Sequence, residues 1–198
     1  AIKADWQQLE AASPHFLSDI GLSLLAGERG RSLLELIWAR PTAEVNGISG
    51  GYAGDGFKTV IAAKATAKVS FRLVGRQDPV KIRDSFRAYV RSKVPSDCQV
   101  AFASHGASPG LQLPYDSPLL DRARAALSRE WPQPAIVVGG GGSIPVVGDF
   151  RTILGMDSLL AGFSLADDRV HSPNEKYDLV SFHKGIRSWV RILHALSQ

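Results

Sequence analysis

The chain has 198 residues, 44% of them hydrophobic and 21% charged, with a formal net charge of +4. That is the composition of a soluble globular protein with a buried core, either one ordinary domain or two small lobes. The single cysteine, Cys98, excludes an internal disulfide and a thiolate zinc cluster and fits a reducing cytoplasm, while the dispersed charge and short apolar runs point away from nucleic acid, a membrane span or a signal peptide.

Residues 1–33 read as a mixed helix and loop lead-in. Leu17, Ile20, Leu24 and Leu25 have rough helical spacing, broken by Gly21, Gly27 and Gly30. The segment LLELIWARPTAEVNGISGGY (33–52) predicts a strand interrupted at Pro41 and ended by glycines. KTVIAAKATAKVSFRLV (58–74) has the clearest strand signal. Lys64, Thr66, Lys68, Ser70 and Arg72 alternate with Ala65, Ala67, Val69, Phe71 and Leu73, so one face is polar and one apolar. A helix follows, with Asp78 as N-cap, Pro79 at its first position and a stripe of Ile82, Phe86, Tyr89 and Val90. CQVAFAS (98–104) predicts a further strand. The order strand, strand, helix, strand makes residues 34–110 most of an α+β sandwich.

After the Gly/Pro-rich stretch HGASPGLQLPYDSP (105–118), residues 111–198 change character. Ser117 and Pro118 open a helix with Leu119, Ala123, Leu127 and Trp131 at every fourth position. AIVV (135–138) predicts a strand, followed by four glycines, a helix opened by Ser143, a strand at SLLAGFSL (158–165), the turn HSPNE (171–175) and a final amphipathic helix. The stripe of that helix is Phe182, Ile186, Trp189, Val190 and Leu193. This alternation suggests part of a layered α/β domain with a parallel sheet, although two strands alone are too few for a stable one. The chain starts at Ala1, without Met, in a run that reads as the middle of something, so a processed product or a piece is expected.

Three features carry candidate chemistry. GGGGSIP (139–145) is a glycine loop entering a helix N-terminus, which offers free N–H donors to an anion; it lacks the Lys-Ser/Thr of a phosphate loop, and an ordinary strand-to-helix turn is the plainer alternative. Arg72, on the polar face of the best strand, could hold a carboxylate in a bidentate grip, or simply share a solvated face with Lys64 and Lys68. His171 could bind a metal or move protons. His183 and His194 share the last helix at a separation of eleven residues, and His15 and His105 lie in loops, so no adjacent ligand set is evident. A closed zinc site needs about four ligands.

WARPTAEVNGISGGYAGDGFKTVIAAKATAKVSFRLVGRQDP, then GGSIPVV, then GFSLADDRVHSPNEKYDL, in this order, resemble the carnosinase-like zinc dipeptidases. These belong to the wider superfamily of aminoacylase, carboxypeptidase G and succinyl-diaminopimelate desuccinylase, and the resemblance runs from about His15 onward. It implies a ferredoxin-like α+β lid, here incomplete, at residues 34–110. The C-terminal portion of a layered α/β zinc-exopeptidase domain would follow at 111–198. It also implies a homodimer through the lid, a cytoplasmic enzyme and two divalent metal ions, zinc by family habit. His171 of the HSPNE turn matches the last metal ligand. Arg72 matches the arginine that grips the substrate carboxylate, Ser143 with the Gly142 backbone matches a substrate contact, and Thr59 matches a threonine donated by the partner subunit. The remaining ligands and the general-base Glu come, in the family, from an N-terminal half that this chain does not contain, so no catalytic base is expected here. By family mechanism the two metals lower the pKa of a bridging water, and Glu takes its proton before attack on the amide. Thr59 and Arg72, thirteen residues apart, would be roughly 40 Å apart on one extended strand and on opposite faces, which favours two chains at one substrate. Ala62 replaces a usual Pro after KTVI, and the longer glycine run replaces a usual charged residue; both bear on fine substrate preference.

Two expectations follow. The parent protein hydrolyses dipeptides or related amides with a free carboxylate, and this chain, lacking most metal ligands, is inactive and binds little metal alone. Alternatively, the chain is a non-catalytic dimerisation module whose unpaired strand edges favour association. RNA binding is disfavoured, because the polar strand face lacks stacking aromatics.

Overall fold

A computed structural model of the chain describes residues 6–7, 9–10, 15–140 and 144–198. The architecture is mixed α and β. The chain divides into two compact units. One is built from Leu113–Val138 and Phe150–Gln198 with the beginning of the chain; the other comprises Ala12–Gln112 and Gly139–Asp149.

The second unit opens with a single turn, α1 (Phe16–Asp19), and a two-turn helix, α2 (Leu33–Ala39). The sequence pattern predicts a strand where α2 forms. Local capping decides otherwise: Glu35 N–H donates to Ser32 Oγ at 3.3 Å, and Ser32 N–H donates to Glu35 Oε2 at 3.0 Å. This reciprocal box satisfies two orphan donors at the helix start. Pro41 then separates the helix from the strand β1 (Thr42–Gly50).

β1 pairs antiparallel with β2 (Ala65–Arg72), from Thr42 opposite Arg72 to Gly50 opposite Ala65. A bulge at Asn46 shifts the register between Val45 and Gly47, adding one residue to β1 and turning it locally. The alternation read from the sequence is present: Thr42, Glu44, Ser70 and Arg72 share one face, and Ala43, Val45, Val69 and Phe71 the other. The strand is shorter than predicted. Pairing stops at Gly50 and Ala65, and Gly51 then takes a φ of 74°, a left-handed turn that glycine adopts without steric cost. Residues 58–64 therefore have no strand partner, and the expectation of one continuous strand from Thr59 to Arg72 is corrected.

Helix α3 (Pro79–Lys93) follows as predicted, with Asp78 Oδ1 accepting from Val80 N–H at 2.8 Å and Lys81 N–H at 3.2 Å. It packs on the apolar face of the hairpin through an edge-to-face contact between Phe71 and Phe86, with ring centroids 5.0 Å apart. Tyr89, expected in the stripe, is exposed. Residues 98–104 form no strand, since a strand exists by its ladder partners and none pairs with them here. The same holds for 135–138 and 158–165: among the described residues β1 and β2 make the one sheet. The parallel sheet anticipated for 111–198 is thus replaced by helix packing.

That packing joins α4 (Pro118–Ser128) and α6 (Leu179–Leu196), while α5 (Pro145–Leu154) lies between them in sequence. Ala123, Ala126 and Ile192 are fully buried at the α4–α6 contact, flanked by Leu127, Leu159, Ala195 and Leu196. α6 buries Ser181, Gly185, Ser188 and Ile192. The large apolar stripe predicted to face the core, Phe182, Ile186, Trp189, Val190 and Leu193, is exposed instead. The reason is geometric. Small residues on both helices allow close backbone approach, and at Gly185 an added Cβ would stand 3.0 Å from the Phe163 ring. Phe163 stacks on Trp131, whose indole N–H donates to Ser188 Oγ at 2.9 Å. Glu130 completes the junction by accepting from Arg187 at 2.7 Å and Arg191 at 3.1 Å.

Candidate functional site

Arg72 ends β2 on the polar face of the hairpin. Its Nε lies 3.3 Å from Glu44 Oε1. Glu44 is held from three sides: Thr42 Oγ1 donates to Oε1 at 2.7 Å, Ser70 Oγ donates to Oε2 at 3.2 Å, and Arg72 supplies the charge. The Thr42 hydroxyl, then Ser70, then the Arg72 guanidinium keep the Glu44 carboxyl below the usual carboxylate range, against some desolvation. The antiparallel register produces this group, because Thr42 is opposite Arg72 and Glu44 is opposite Ser70. The site can bind a carboxylate, and does so internally. Sequence reading singled out Arg72 but missed Thr42, Glu44 and Ser70. Their signal was the shared parity of TAE and SFR on paired strands, which needs the register to be visible.

Thr59 is exposed, in the loop joining the strands. It lies beyond the Ala65 end of β2, whereas Arg72 closes the other end, so the hairpin does not gather the two residues. The opposite-face argument no longer applies, since Thr59 is outside the strand. The loop is rich in solvent-facing apolar side chains, with Phe57 97% and Ile61 94% exposed.

Gly142 and Ser143 lie outside the described residues. Of the glycine run, Gly139 packs where an added Cβ would overlap Trp38, a backbone approach that only glycine permits.

His171 belongs to the other unit. It is exposed and sits at a φ of 63° in the turn after a short 3-10 helix, Ala166–Asp168. Its backbone N–H donates to Glu175 Oε2 at 3.2 Å. Asp168, in contrast, is 1% exposed; it accepts from Leu165 N–H at 2.7 Å and Lys176 Nζ at 3.2 Å. The Leu165 amide first, and Lys176 second, lower its pKa, while Asp167 and Asp168 raise that of Lys176. No spacing rule pointed to this pair.

Among the described residues, no group of three or more His, Cys, Asp or Glu is placed to hold a metal ion. Nor is any helix among them long and apolar enough to cross a membrane.

One unit thus presents a hairpin with a helix on its apolar face and an arginine–carboxylate contact on its polar face, and the other is a helical unit bearing an HSPNE turn. Residues 4–98 match the family described as the peptidase dimerisation domain of the M20 peptidases. The Cys-Gly metallodipeptidase of Schizosaccharomyces pombe is 34% identical over 164 residues, covering 81% of this chain and 34% of that protein. Human Beta-Ala-His dipeptidase is 24% identical over 170 residues, covering 84% of this chain and 33% of its own length. The M20 family metallo-carboxypeptidase Sso-CP2 of Sulfolobus solfataricus shares the fold with a TM-score of 0.77 at 23% identity, over 96% of this chain and 42% of that one. The chain carries an M20 dimerisation domain and is homologous to the M20 metallodipeptidases, as its motifs implied. It spans about a third of the length of these two dipeptidases.

Proposed function

We propose that this chain supplies the dimerising lid and the substrate-carboxylate grip of a metal-dependent dipeptidase. The observation that carries the reading is the Arg72–Glu44 contact: the guanidinium at the end of β2 already engages a carboxylate in a polar, strand-fixed setting. A planar fork suits the C-terminal carboxylate of a dipeptide. Similarity to dipeptidases that act on Cys-Gly and Beta-Ala-His supports the substrate class.

In this reading Ser143 and the Gly142 backbone contact the substrate, and Thr59 reaches it from the partner subunit. The exposed Phe57 and Ile61 beside Thr59 support a loop that is covered on assembly. His171 contributes one ligand to a pair of divalent ions, zinc by family habit, completed by residues outside this chain, as is the general base. The chain on its own is then inactive.

A second reading is favoured by the match of residues 4–98 to a dimerisation domain: as an isolated piece, the chain acts as a homodimerising module. One experiment addresses both. The 198-residue chain is expected to sediment as a dimer with no dipeptidase activity, and the complete enzyme to lose most of its activity on free-carboxylate dipeptides when Arg72 is replaced by Ala. A monomeric chain, or full activity in the complete R72A enzyme, would contradict the respective reading.

A further inference from the structure

The seven residues between Asp168 and Lys176 carry three non-glycine positions in left-handed backbone: Arg169 at a φ of 53°, His171 at 63° and Asn174 at 60°. Asn and His enter this region more readily than most residues and Arg rarely does, but three such positions within six residues persist only where the surroundings over-determine them. Here the surroundings are a neck. Lys176 N–H donates to the Asp168 carbonyl at 3.0 Å, and Lys176 Nζ donates to Asp168 Oδ1 at 3.2 Å. The same two residues are thus joined through backbone and side chain. Asp168 is anchored in turn by Leu165 N–H on its other oxygen, and Lys176 Nζ also lies 3.0 Å from Asp167.

Inside the neck, the turn is folded by short bonds. Ser172 N–H donates to the Arg169 carbonyl at 2.9 Å, Glu175 N–H to the Ser172 carbonyl at 3.2 Å, and His171 N–H to the Glu175 carboxylate. None of these reaches the rest of the unit, so the neck sets the orientation of the turn.

We propose that Asp168 and Lys176 form a clasp that fixes the HSPNE turn in its left-handed geometry, which makes them positioning residues for His171. The use made of that geometry rests on His171 being a metal ligand; the clasp itself does not. Removing the Lys176 ammonium leaves a buried carboxylate without its counter-charge, a costly state that opening of the neck relieves by admitting water.

The test uses the 198-residue chain without metal. Amide hydrogen exchange at His171 N–H and tryptic scission at Arg169–Val170 report opening of the turn. Lys176→Met should speed both by about tenfold or more while exchange in α6 stays unchanged. Lys176→Arg, which keeps the charge, should return both to within about threefold of the native chain. The proposal is overturned if Lys176→Met leaves the turn as protected as before, or if Lys176→Arg behaves like Lys176→Met. It is also overturned if protection falls equally along α6, because the pair would then hold the unit together rather than aim His171. The ligand reading has its own test: metal content of the complete enzyme with His171→Ala, whose failure leaves the clasp result standing.

Discussion

Arg72 Nε is 3.3 Å from Glu44 Oε1, on an oxygen that also accepts from Thr42 at 2.7 Å. A substrate carboxylate arriving at Arg72 must share or displace this internal anion. In the complete enzyme, Arg72→Ala should lower kcat/KM for substrates with a free carboxylate by about 10- to 100-fold, the equivalent of losing a charged hydrogen bond of about 1.5–3 kcal/mol. Amidated substrates should be little affected. Glu44→Gln should lower KM for the free-carboxylate substrates. Unchanged kinetics with both substrate types in Arg72→Ala would remove Arg72 from the site.

The two faces of α6 should respond oppositely to mutation. Ile192 is 0% exposed against Ala123 and Ala126, so Ile192→Ala should cost about 2–5 kcal/mol in denaturant unfolding. Ile186→Ser, on the exposed stripe, should change the stability of the isolated chain by no more than about 0.5 kcal/mol. Equal losses at the two positions would show that the helix is rotated from the orientation described.

Acid stability should report the Glu130 junction. Hydrogen bonds from Arg187 first and Arg191 second lower the Glu130 pKa in the folded chain. A carboxyl with a depressed folded pKa stabilises fully above its unfolded value, about 4.3, and loses that contribution as pH falls through the folded value. Thermal stability of the native chain should therefore drop more steeply below about pH 4 than that of Glu130→Gln. Parallel curves would mean that the ion pairs contribute nothing.

Phe57 and Ile61 test the assembly role of the loop between β1 and β2. Their replacement by Ser should weaken dimerisation in sedimentation equilibrium without altering helix content, because both side chains already face solvent in the single chain. An unaltered dimer constant would place the interface elsewhere.

Local signals made part of this structure legible. Asp78-Pro79 announced α3, and the alternation from Ala65 to Arg72 announced β2, because caps and period-two patterning act within a few residues. The Ser32–Glu35 box is equally local and makes Leu33–Ala39 a helix, although the aromatic and β-branched content of the segment predicts a strand. The orientation of α6 was not legible. Its hydrophobic stripe is the stronger pattern, yet the face that is buried carries the small residues Ser181, Gly185 and Ser188 with Ile192, packed against Phe163, Trp131 and the alanines of α4. The strands predicted at 98–104, 135–138 and 158–165 depend on partners that no local pattern supplies. At the candidate site the same division holds. Arg72 and His171 were marked by their motifs, whereas Glu44 and the Asp168–Lys176 pair emerged only from pairing and loop closure.

Metal stoichiometry of the 198-residue chain, by elemental analysis after dialysis against trace zinc, is the most direct test of a chain that contributes one ligand to a centre completed elsewhere. The expected result is no stoichiometric zinc. Two tightly held zinc ions per chain would mean that a full ligand set lies within these residues, contradicting the role assigned to His171.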